Sequence, residues 1–136
     1  MILKAFSKIF ILCCFLVATA HSFTVLASTN ISIENLSIKD LRNIYLGKKT
    51  KLDDGTRIKA VMMQGGEVHE LFINTFLKRS VKQFDFYWQK IIFAGLGVPP
   101  KSFKTEKDMI DYIKANPNII GYTKNAIEGL RVIKVE

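Results

Sequence analysis

The spacing of apolar and polar residues changes several times along the chain, and each change marks an element. Residues 23–27 read as a short strand and residues 28–34 as a polar loop. A helix follows over 38–46: Ser37 can cap it with Asp40 three residues on, Leu36 can staple onto Leu41, and Leu41, Ile44 and Tyr45 share a face. Gly47 stands where a left-handed C-terminal cap is expected. After the basic loop 48–51 and the turn signal Asp53-Asp54-Gly55, residues 57–63 alternate Ile58, Ala60 and Met62 with Arg57, Lys59 and Val61, the period of a strand half covered by helices.

Gln64-Gly65-Gly66 breaks that strand, and residues 67–77 return to helical spacing through Val68, Leu71, Phe72, Thr75 and Phe76. Ser80 with Gln83 caps a third helix whose Phe84, Trp88, Ile91 and Ile92 line one side. Two glycines and a Pro-Pro pair make residues 95–100 an irregular loop. Thr105 and Asp108 open a fourth helix with Met109, Ile110 and Ile113 inward, ended by Asn116-Pro117-Asn118, and residues 119–122 and 131–135 close the chain as strands. The order strand, helix, strand, three helices, strand, strand predicts a small α/β sandwich without internal repeat or linker.

Composition matters through its placement. The 136 residues carry a formal charge of +8 and two cysteines, which invites nucleic-acid and redox readings. Yet Lys4 and Lys8 precede an apolar run over residues 9–20, ending in Ala18-Thr19-Ala20, the outline of a secretory signal peptide. Cleavage after Ala20 is the expectation, with Ala27 as a second site that would discard the first strand; residues 1–20 are then the signal and 21–136 the mature domain. An uncleaved membrane anchor is the alternative. A lipoprotein signal does not fit, because bulky Leu12 precedes Cys13 and Cys14. Removing residues 1–20 takes both cysteines and two lysines, so disulfide and thiol chemistry go with them. The remaining cations are dispersed along the chain, more like a solvated surface than a nucleic-acid groove, though an anionic membrane face or ligand stays open.

The ordered landmarks resemble a known family. The run Leu36-Ser37 through Leu41-Arg42 to Ile44-Tyr45-Leu46-Gly47-Lys48 is similar to the LS-x-x-x-LR-x-IFLGK segment of the phosphate-binding proteins of ABC transporters, which are type 2 periplasmic binding proteins. Asp54-Gly55-Thr56, Tyr87-Trp88, Ile92-Phe93-Ala94-Gly95 and Pro99-Pro100 continue the likeness, and Pro117-Asn118-Ile119-Ile120-Gly121-Tyr122 resembles that family's PGAIGYV. The resemblance implies a single-lobe, three-layer α/β sandwich like one domain of those two-lobed binders. It also implies phosphate or another small oxyanion as ligand.

The departures bear on function. The family's phosphate loop, an R-x-x-GSGT-like stretch, falls on Met62-Met63-Gln64-Gly65-Gly66-Glu67-Val68, where its arginine, serine and threonine are absent. A glycine turn before a helix can still bind an anion through backbone N–H groups and the helix dipole, but Glu67 and Glu70 on the first turn would repel one. The same glycines also suit a plain strand-to-helix turn. A retained ligand is expected at Ser28, Thr29, Gly65, Gly66, Glu67, Val68 and His69, with His69 adding charge at acidic pH.

His69-Glu70 begins an apparent H-E-x-x-H motif whose second histidine is replaced by Ile73, so no metal is expected and His69 reads as a surface or edge residue. No cofactor is implied, and too few catalytic roles are filled for an enzyme. Phe86 and Tyr87 fall off the Phe84/Trp88 face. Tyr87, Pro99 and Pro100 are therefore the candidate contacts to a membrane or envelope protein. The reading is an exported solute-binding-like protein with altered or lost phosphate binding; the alternative is a periplasmic accessory protein using the lobe to meet an envelope partner.

Overall fold

A computed structural model describes residues 23–136, and the expected signal segment lies outside them. Six strands form one mixed sheet in the order β2-β6-β1-β5-β3-β4: β1 Thr24–Ala27, β2 Asn35–Leu36, β3 Lys59–Met63, β4 Lys101–Phe103, β5 Ile119–Thr123 and β6 Arg131–Val135. Central β1 runs antiparallel to both β5 and β6, whereas β3 is parallel to β5 and β4 to β3. Helices α1 Ile38–Tyr45, α2 Glu67–Phe72, α3 Val81–Phe93 and α4 Glu106–Ala115 complete the lobe.

The three-layer expectation holds. On one face Tyr45, Phe72, Phe84 and Trp88 pack with Val25, Ile120, Tyr122 and Ile133. On the other, Met109 and Ile113 of α4 cover Val61 and Ile119. Val61 alternates with Ala60 and Met62, yet it is buried under α4, so both faces of β3 are covered. Gly121 lets α4 approach this closely: a Cβ there would lie 2.8 Å from Ile113 Cδ1 and 3.1 Å from Val61 Cγ2. These strands and both cores are all drawn from residues 23–136.

The caps form as their spacing predicts. Ser37 Oγ accepts the Asp40 N–H, Ser80 and Gln83 complete a reciprocal capping box, and Thr105 Oγ1 accepts the Asp108 N–H. Gly47 takes the left-handed conformation at φ 70°, with Trp88 Cη2 only 2.7 Å from where its Cβ would be. The carbonyls of Tyr45 and Leu46, left over at the end of α1, accept bonds from Trp88 Nε1 and the Tyr87 hydroxyl. That docks α3 on α1.

Three expectations are corrected. Strands β2 and β4 fall in short stretches assigned to no element, because two or three residues carry no period and exist as strands through pairing with β6 and β3. The helix expected over 67–77 changes to a π-helical segment at Ile73–Leu77, and this wider turn shifts the inward face: Ile73 and Leu77 are buried while Thr75 is exposed. Ile92, expected inside, is half exposed because the core side of α3 is used up by Phe84 and Trp88.

Candidate functional site

The parallel pairing of β3 with β5 brings their C-terminal ends to one edge of the sheet, where the loop Gln64-Gly65-Gly66 leads into α2. The Gln64 N–H is tied to the Phe103 carbonyl at 2.9 Å, anchoring the loop to the end of β4. Gly66 is the N-cap of α2 at φ 96°, a conformation open to glycine, and it offers no side chain to the first-turn N–H groups. Residues 64–67 are exposed, and Glu67 and Glu70 both sit on the first turn.

Behind this loop lies a buried polar relay. The Met63 N–H donates to Tyr122 Oη at 3.0 Å, and Tyr122 Oη lies 2.5 Å from His69 Nδ1. Tyr122 Oη thus accepts from Met63 and shares its other hydrogen bond with Nδ1, the imidazole tautomer setting which of the two donates. Burial pushes the His69 pKa below its ordinary value, against a smaller opposing pull from Asp85. Burial likewise raises the Tyr122 hydroxyl. His69 was expected at the surface but is only 3% exposed. Helical position sets this: His69 stands on the sheet-facing side of α2 with Phe72, whose ring stacks on Tyr122 at 4.0 Å and 10°. Burial therefore works against the acid-state charge expected of His69.

Ser28 and Thr29 do not join this loop. Since β1 is antiparallel to β5, its end lies at the start of β5, about 13 Å along that strand from the loop. Ser28 is buried, with its hydroxyl accepting the Ile119 N–H at 3.1 Å and lying 2.7 Å from the Asn116 carbonyl, so it ties the end of α4 to the sheet. Thr29 is exposed in the adjoining turn. Gly65, Gly66, Glu67, Val68 and His69 are brought together as expected; Ser28 and Thr29 are not brought to them.

The expected partner residues also divide. Tyr87 is half-buried, its hydroxyl on the Leu46 carbonyl at 2.7 Å and its ring under Arg79 at 5.1 Å. Its neighbour Phe86 is the exposed aromatic. Pro99 and Pro100 are half-buried and line a cavity of about 460 Å³ with Trp88 and Tyr112. Tyr122 is the site residue that sequence reasoning missed: it was visible only as part of a closing strand, and its partners are 53 and 59 residues away. Among the described residues no cluster of three or more potential metal ligands occurs, and no helix is long and apolar enough to cross a membrane.

Comparison of the whole lobe with solved structures decides the fold. The PstS protein of Borrelia burgdorferi superposes with a TM-score of 0.64 at 17% identity, over 85% of this chain and 47% of its own. A Clostridium perfringens protein described as a phosphate ABC transporter substrate-binding protein, solved with bound phosphate, gives 0.64 at 17%, over 83% and 44%. The chain has the fold of one lobe of a phosphate-type periplasmic binding protein. An ABC-type phosphate transport receptor of Vibrio cholerae agrees, at 0.55 and 12% identity over 83% of this chain and 45% of its own. The lobe thus spans less than half the length of the proteins it matches. No protein-family model matches the sequence, and no curated protein matches it significantly.

Proposed function

We propose that this chain is an exported, solute-binding-like lobe in which phosphate binding is altered or lost. The observation that carries the reading is the loop at the C-terminal end of β3: its backbone has the form of an anion cradle, with a left-handed glycine N-cap opening a helix, but its side chains oppose an anion. Glu67 and Glu70 already complement the helix dipole, and the nearby His69 is neutral and turned to Tyr122. Residues 64–67 are exposed, so an oxyanion there would compete with water as well as with the acidic first turn.

The test is thermal denaturation of residues 21–136 during titration with phosphate, with sulfate as a second oxyanion. A ligand at one hundred times its dissociation constant adds about 2.7 kcal/mol of stability, a rise of roughly 10 °C for a domain of this size. The expected result is an unchanged melting temperature at millimolar phosphate. A saturable, phosphate-specific rise would overturn the proposal.

A further inference from the structure

Along the outer side of α3 and the loop after it, the surface is unlike that of a protein bathed only in water. Phe86, Ile92 and Phe93 of α3 are 57%, 50% and 90% exposed, and Leu96 and Val98 in the following loop are 75% and 86% exposed. Phe86 and Phe93 are seven residues apart and so share one outer face of the helix, with Lys90 between them, its ammonium 4.7 Å above the Phe86 ring. Five large apolar side chains within thirteen residues form a patch that calls for a partner.

Beside it runs an open groove of about 890 Å³ between α1 and α3, into which Phe86 and Lys90 also project. Lys39, Arg42, Lys48, Lys78, Arg79 and Lys90 line this groove, and among the described residues no carboxylate does. Arg42 Nε is engaged by the Phe76 carbonyl, but Lys39, Lys48, Lys78 and Lys90 are exposed. Asp85 stands on the far side of Phe86, outside the groove.

We propose that this face docks on an anionic phospholipid bilayer, with Phe93, Leu96 and Val98 entering the interface and the lysines of the groove meeting headgroup phosphates. The charge complementarity is one-signed, as an anionic surface requires. The apolar groups are protruding side chains on a helix end and loop. A fluid interface accepts these to a depth of about 5–10 Å without a matching shape. The patch adjoins the start of β4, which pairs with Val61 of β3. The inference is independent of whether the Gly65-Gly66 loop binds an anion.

Co-sedimentation of residues 21–136 with vesicles tests it. Binding is expected to vesicles of equal parts phosphatidylcholine and phosphatidylglycerol and to be at least about tenfold weaker to phosphatidylcholine alone. Phe93→Asp with Leu96→Asp is expected to lower binding to the mixed vesicles by at least about tenfold, and Lys78→Glu with Lys90→Glu likewise. All four residues are exposed, so the variants should keep the wild-type melting temperature, which is measured alongside. No binding to either vesicle would overturn the proposal and leave the patch to a protein partner or a second copy. Binding that survives Phe93→Asp with Leu96→Asp, or is equal on both vesicles, would overturn it too.

Discussion

Replacing Tyr122 by phenylalanine removes one oxygen from the relay behind the loop and leaves the ring in place. The stack on Phe72, 4.0 Å between centroids, is retained. What is lost is the acceptor for the Met63 N–H and the hydrogen-bond partner of His69 Nδ1. An orphaned buried polar group costs about 1–3 kcal/mol. His69, at 3% exposure, pays in that range, while half-buried Met63 pays toward the lower end because water can reach it. The expected total is about 2–4 kcal/mol, a fall in melting temperature of roughly 10 °C. Circular dichroism melts at pH 8, with urea midpoints as a second measure, read this out. In a His69→Leu background the same substitution is expected to cost only the Met63 share, about 1 kcal/mol. Equal costs in the two backgrounds, or a loss below about 0.5 kcal/mol in the first, would refute the pairing of His69 with Tyr122.

Two further outcomes follow from the same geometry. The His69 pKa lies below its unfolded value of 6.5, so below that pH the unfolded chain binds a proton that the native state refuses; stability should fall as pH drops from about 6.5 toward 5, and His69→Gln should flatten that slope in urea titrations. Gly47→Ala and Gly55→Ala separate backbone strain from crowding. Both glycines have positive φ, but a Cβ at Gly55 meets nothing within 4 Å, whereas at Gly47 it meets Trp88 at 2.7 Å. Gly55→Ala should cost about 1 kcal/mol and Gly47→Ala at least about 2 kcal/mol in urea unfolding, and equal costs would discount the Trp88 contact.

The helix boundaries of this chain were legible because their determinants are local. Ser37 with Asp40, Ser80 with Gln83 and Thr105 with Asp108 each close a bond three residues apart, and Gly47 ends α1 by a conformational freedom of its own. The resemblance to phosphate binders was readable for a related reason, since contiguous runs such as residues 36–48 and 117–122 carry it. The glycine loop and its acidic first turn were likewise contiguous, and five of the seven expected ligand residues lie together in the structure for that reason.

Pairings across the chain were not legible. Asn35 and Leu36 became a strand because Lys134 and Val135 lie beside them, and residues 101–103 because β3 does. Ser28 parted from the glycine loop because strand direction, invisible in a five-residue apolar run, set β1 antiparallel to β5. The π-helical turn re-phased the inner face of the second helical run by one position, and α3 spent its core-facing side on Phe84 and Trp88, turning Phe86 and Phe93 outward. His69 shows the division most clearly. Its sequence neighbours offered only a broken H-E-x-x-H motif and a surface or edge position, but a hydroxyl 53 residues away and the aromatic stack around it made it a buried, hydrogen-bonded group. Sequence by itself determined where elements begin and end, because caps and turns are short-range; tertiary structure decided which side chains meet, because burial and hydrogen bonding depend on which surfaces the sheet brings together.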